Sequence, residues 1–246
     1  MTDLKVGTLP QTYARTGGVL YLIIIVLGLF GEAFVRNRLV VSGYAMATAS
    51  NLRSMESLWR LHIAAELLLL ICAIALLLTF FFLLRPVSRD LALLAVFFNL
   101  VAIGVEAATT LYLVAALFPL GNAGYLKAFA PEQLYAMASL SLKLHSYGFG
   151  MSLIFFGCFC LVIGYLIFRS GYLPKTLGVL MQIAGLSYLT NSFALVLVPA
   201  LANRWFPAIL LPAFVGETSL CLWLLVKGVN VPKWQEQVSV GRCSGG

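Results

Sequence analysis

Charge is the scarcest feature of this chain: Lys and Arg number 16 and Asp and Glu 9, together 10% of 246 residues. Soluble domains carry about a quarter charged residues, so an ordinary water-facing surface is excluded. Histidine occurs only at His62 and His145, with no HExxH motif. Four ligands could be assembled only by adding Glu66 and Glu106, so neither a metal nor any other cofactor is expected. The five cysteines, Cys72, Cys158, Cys160, Cys221 and Cys243, show no CxxC spacing, and four lie inside apolar runs. They read as small packing residues rather than a redox or metal pair. The net charge is +7, yet no Lys/Arg cluster exists to meet phosphates, so nucleic acid is not an expected partner.

What the chain has in abundance is apolar length. It is 61% hydrophobic, and stretches such as LLLLICAIALLLTFFFLL (67–84) are long enough to cross a hydrocarbon core as helix. Backbone groups must be paired within lipid, which leaves helices or a closed barrel, and the runs lack a barrel strand's alternation. The expected fold is all-α, an integral membrane bundle of six transmembrane helices. The spans run over 17–37, 58–84, 91–118, 147–168, 174–198 and 205–228. Residues 1–16 form an N-terminal cytoplasmic segment, 17–230 the transmembrane domain and 231–246 a C-terminal tail, whose end SVGRCSGG (239–246) is small, polar and expected to lie outside the fold. Residues 133–146 extend the fourth helix beyond the membrane. The first apolar run is too long for a signal h-region and lacks a small-residue cleavage site.

An even number of spans puts both termini on one side. That side carries nine of the 16 Lys and Arg and the other side seven, which favours cytoplasmic termini. Trp59, Trp205 and Trp223 lie near span ends and read as interface anchors. The glycines within spans, among them Gly157, Gly164, Gly178, Gly185 and Gly216, read as close helix contacts.

Four stretches, ARTGGVLYL (14–22), TASNLRSMESLWRLHI (48–63), FRSGYLPKTLGVLMQIAGLSYL (168–189) and GETSLCLWLLVKG (216–228), resemble a bacterial membrane family known as domain of unknown function forty-three eighty-six. The resemblance implies a six-helix protein of the bacterial inner (plasma) membrane. It implies no activity.

Ionisable residues of the spans concentrate in the half away from the termini. Glu32 and Arg36 lie one turn apart late in the first span. Arg60, His62 and Glu66 open the second, Glu106 lies high in the third, and His145 near the top of the fourth. An uncompensated charge in mid-bilayer costs at least ~2.5–3.5 kcal/mol, so these groups should face the bundle and pair, Arg60 with Glu106 for example. Glu217, near mid-depth in the sixth span, should take a partner from Gln182, Asn191 or Glu66. Glu217, Glu66 and Glu106 are the candidate catalytic acids, because a carboxyl removed from water can donate a proton as well as accept one. Glu32, Arg36, Arg60, His62, His145, Asn191 and Gln182 are candidate ligand-binding residues. Three functions stay open: a polar, outward-open cavity binding a lipid or other amphiphile, in a sensor or an accessory subunit of a membrane-protein partner; a membrane-embedded acid–base enzyme on an isoprenoid-like lipophilic substrate; and a proton-coupled transporter. An internal salt-bridge network fixing helix register is the purely structural reading of the same residues.

Overall fold

The computed structural model describes residues 3–243, and every regular element among them is helical. In chain order these are α1 Asp3–Leu29, α2 Asn37–Leu39, α3 Ala45–Ser54, α4 Glu56–Leu84, α5 Arg89–Ala115, α6 Pro131–Ser170, α7 Lys175–Leu197, α8 Pro199–Trp205, α9 Leu211–Val226 and α10 Val231–Cys243. Short 3-10 turns occupy Phe118–Leu120, Gly124–Ala128 and Ala208–Leu210. Six stretches are long and apolar enough to cross a membrane: Leu9–Leu39, Glu56–Leu84, Arg89–Leu120, Pro131–Ser170, Lys175–Leu197 and Ala208–Val226. The protein is a multi-pass membrane protein of six helical spans.

Local chemistry sets where helices stop. After α2 the chain reverses at Gly43, whose φ of +81° is open to glycine and strained for other residues. Thr48 closes this turn, its Oγ1 accepting from the Val41 N–H at 2.9 Å. At the start of α5 the Ser88 hydroxyl accepts from the Leu91 N–H, as an N-cap does. α6 has 40 residues, about 60 Å at a rise of 1.5 Å per residue. That is about twice a hydrocarbon core, in line with a fourth helix that starts outside it.

Two end segments are helical. α1 is helical from Asp3, so residues 3–16 extend the first span's helix rather than lead into it. α10 carries helix to Cys243, and Trp234 within it donates to the Leu83 carbonyl at 3.1 Å. The indole N–H of Trp234 thus anchors this helix to the end of α4. Residues 244–246 lie outside the described residues.

By its contacts the chain divides into two compact units. Unit 1 comprises Met1–Ile23, Cys72–Ile103 and Gly150–Gly246, and unit 2 comprises Ile24–Ile71 and Gly104–Phe149.

Unit 1 is built on glycine. Gly164 and Gly178 face each other so closely that a Cβ on either would lie 2.6 Å from the other's carbonyl oxygen. Seven residues along each helix, Gly157 and Gly185 repeat the contact at 3.0 and 2.7 Å. α6 and α7 therefore meet backbone to backbone, as small residues permit between helices in lipid. Gly216 brings α9 against the Leu180 carbonyl in the same way. The chain ends meet here too. Gln11 donates to the Lys227 carbonyl at 3.0 Å and accepts from the Val229 N–H at 3.0 Å, which puts both ends of the six-span region on one side.

Unit 2 has a side-chain core: Val35, Leu39, Leu52, Trp59, Leu113 and Leu142 pack together. Trp59 is wholly buried and donates from Nε1 to the Leu113 carbonyl at 2.9 Å. It is a core residue, not an interface anchor, because the indole N–H finds its acceptor on a neighbouring helix instead of at the headgroups. On α4 the buried face runs through Trp59, His62 and Leu70, while Leu67, Ile71, Ile74 and Leu78 form the exposed apolar face. His62 thus sits on the inward stripe by helical periodicity.

Candidate functional sites in the two units

In unit 2 the first span is not regular. Phe30–Arg36 form a π-helical segment, an uncommon geometry often found at functional sites. It carries Glu32 and Arg36. Arg36 Nε lies 3.3 Å from the Glu32 carboxylate, Nη1 lies 2.9 Å from His145 Nδ1, and Nη2 donates to Ser146 Oγ at 3.0 Å. A guanidinium only donates, so His145 Nδ1 is the acceptor and the ring proton sits on Nε2. Each of the three guanidinium nitrogens thus has a partner.

His62 is 1% exposed, and neither of its ring nitrogens has a hydrogen-bond partner. Its ring packs 5.3 Å from that of Trp59 and against the backbone at Gly31, where a Cβ would lie 2.7 Å from Nδ1. The Arg36 charge reaches both His62 and Glu66, and Glu66 in turn acts on Glu106. The structure therefore brings together Arg36, His62, Glu66, Glu106 and His145, residues from four spans. Glu32 joins through Arg36, but its side chain is 54% exposed rather than turned inward. Arg60 does not join. It pairs with Glu56 at 2.8 Å with its side chain 63% exposed, because an i,i+4 acid on its own helix is nearer than Glu106. Ser146 is the participant that sequence reasoning missed.

Among the clefts of unit 2, one of about 470 Å³ is lined by Met46, Ser50, Arg53, Ser54 and Tyr135. Another, of about 270 Å³, includes Arg53, Glu56, Arg60 and Tyr125 in its walls. Neither is lined by Arg36, His62 or His145. Among the described residues no three His, Cys, Asp or Glu side chains gather as a metal site requires.

In unit 1 the carboxyl of the half-buried Glu217 accepts from two tyrosines: Tyr21 Oη lies 3.0 Å from Oε2, and Tyr188 donates to Oε1. Three spans meet at this one side chain. The partners are phenols, where the sequence reading looked to Gln182, Asn191 or Glu66. Gln182 instead packs at Gly164 of α6, and Tyr21 lies 196 residues away along the chain. Aromatic edges flank the arrangement, Phe80 beside Tyr21 and Phe156 beside Tyr188. Nearby on the same helices, the hydroxyls of Ser192 and Thr218 are buried without hydrogen-bond partners.

The fold and these two clusters define a class: a polytopic helical membrane protein with ionisable groups buried among its spans. The chain belongs to the family described as Domain of unknown function (DUF4386), whose profile matches residues 16–228. That range encloses both clusters and leaves α10 outside. The chain is also similar to an uncharacterized protein of Archaeoglobus fulgidus, 27% identical over 164 residues, which cover 65% of this chain and 80% of that protein. No solved structure matches it.

Proposed function

We propose that the protein binds a lipid or other amphiphilic small molecule, whose polar end meets the Arg36–His145–His62 group of unit 2. One observation carries the reading: His62 is almost wholly buried with a donor and an acceptor both unused. Most buried polar side-chain atoms in proteins have a partner, and an orphaned pair calls for one from outside the chain. The companion groups supply the means to orient it, since the occupied Arg36 fork holds His145 in one tautomer. The membrane is taken to be the plasma membrane of a bacterium, with cytoplasmic termini, on the Lys/Arg distribution.

Native mass spectrometry of the protein released from mild detergent tests this. The parent chain should carry an adduct of defined mass, and His62→Leu should lose it while remaining folded. A parent chain that flies without any adduct after extraction from native membranes overturns the reading.

A second reading, acid–base catalysis on a lipophilic substrate, has its own support in Glu66 and Glu106, carboxyls within electrostatic reach of each other in the same unit. Conversion of the bound molecule by the parent chain, lost in Glu106→Gln with binding retained, would favour it.

A further inference from the structure

We infer that the polar end this site accepts is an uncharged oxygen, a hydroxyl or carbonyl on a long apolar body, and not a carboxylate or phosphate. This rests on the binding reading above and follows from counting charges and hydrogen-bond capacity. An anionic head would look to Arg36, which prefers bidentate pairing through its fork. Each nitrogen of that fork already has a partner, Glu32, His145 or Ser146, so a bidentate approach would compete with all three. Glu32 also neutralises the charge within 3.3 Å. Among the described residues, Arg60 is held outside the cluster by Glu56, and His145 presents Nδ1 as an acceptor, which an imidazolium cannot do. Neither His62 nitrogen has an acceptor that would hold a second ring proton.

Glu66 and Glu106 are the remaining ionisable members. A headgroup bearing negative charge would have Arg36, already paired with Glu32, as its cation among the described residues of the cluster, and a buried charge without a partner of its own is strongly disfavoured. An uncharged oxygen meets no such opposition. A neutral imidazole offers one N–H and one lone pair. A carbonyl oxygen takes the first, and a hydroxyl takes the first and gives its proton to the second. The site thus selects by rejecting charge as much as by attracting oxygen.

The test uses the full chain, purified in a neutral maltoside, stripped of lipid by extended washing and shown folded by circular dichroism. Three probes share one C16 chain: hexadecanol, hexadecanoate and hexadecyl phosphate. Hexadecanol at saturation should raise the midpoint of thermal unfolding by about 5 °C, with the two anions giving less than a third of that rise. His62→Leu should abolish the rise, and His62→Phe, which keeps a ring against Gly31, serves where the leucine variant does not fold. A larger, His62-dependent rise with either anion overturns the assignment of an uncharged head and leaves amphiphile binding standing. A rise with hexadecanol that persists in both His62 variants overturns the inference by showing uptake elsewhere. No His62-dependent rise with any probe, together with an adduct-free mass spectrum of the parent, overturns the binding reading itself.

Discussion

Glu217 in unit 1 and His62 in unit 2 are both ionisable side chains carried on apolar helices, yet they meet opposite surroundings. Glu217 lies between two phenols, one on each carboxylate oxygen, and ties together α1, α7 and α9. His62 has company but no partners: a tryptophan ring, a glycine backbone and a neighbouring guanidinium that is bound elsewhere. A satisfied polar group specifies packing, whereas an unsatisfied one costs free energy until something completes it. The contrast teaches where to look for function. Depth in the membrane and isolation along the helix make Glu217 the more conspicuous residue of the pair in the sequence. Its hydrogen bonds suit it to a structural role, whereas both ring nitrogens of His62 are open, as are the hydroxyls of Ser192 and Thr218 in unit 1.

Substitutions can break this comparison, and the largest effect is expected at Glu217. Glu217→Leu removes the carboxylate that accepts from Tyr21 and Tyr188 and should cost about 2–6 kcal/mol, at about 1–3 kcal/mol for each hydrogen bond lost from the interior. A thermal or denaturant midpoint equal to the parent's would show that the tyrosines find other acceptors. Glu217→Gln should cost less than about 1 kcal/mol, because the amide accepts from one phenol and donates to the other. A glutamine variant that melts like the parent but loses its co-purified adduct would return the functional assignment to Glu217.

Next comes Gly178→Ala, which tests whether the precision of unit 1 depends on backbone contact. Its Cβ would lie 2.6 Å from the Gly164 carbonyl, with backbone on the far side that cannot rotate away. A loss of about 1–3 kcal/mol is expected from such overpacking, measured as a lowered unfolding midpoint. A smaller effect belongs to Glu32→Gln. This pair with Arg36 is half exposed, so about 0.2–1 kcal/mol is at stake, and a large loss would mean that Glu32 does more than balance charge. The smallest effect on stability is expected where the binding reading is strongest. His62→Leu removes an unpartnered polar ring, so the lipid-stripped protein should melt within about 0.5 kcal/mol of the parent. A marked loss of stability there would show that His62 has partners when lipid is absent.

Much of the fold was legible because lipid makes helices declare themselves as apolar runs. The six spans, the long fourth helix and the glycine contacts between the fourth and fifth all follow from run length and small-residue placement. So does the gathering of Arg36, His62, Glu66, Glu106 and His145, since positions at matching distances from helix ends come level in antiparallel neighbours. What was not legible depends on geometry without a residue signature. The π-helical turn at Phe30–Arg36 uses ordinary residues. Trp59 near a span end could serve a headgroup or a core carbonyl, and only the fold decides. The partners of Glu217 come from both directions along the chain, and Tyr21 gave no signal because tyrosine near a span is expected at interfaces anyway.

The clasp formed by Gln11 with residues 227 and 229 bears on how the protein is made. Its two halves are 216 and 218 residues apart, and the neighbouring approach of Gly18 to the Leu225 backbone, 2.7 Å from a Cβ position to the amide nitrogen, spans a similar interval. Translation delivers the Gln11 end early and its mate only when the last span leaves the ribosome. The α6–α7 hairpin, by contrast, can zip as soon as its few connecting residues emerge. Until the last span emerges the opening helix can pack Gly17 and Tyr21 against Thr79 and Phe80 of α4, but it lacks the cover of Leu225 on Gly18 and the Glu217 acceptor of Tyr21. Closure is tied to completion through residue 229, so a chain truncated before this point should lack the clasp even though most of its helices have already formed.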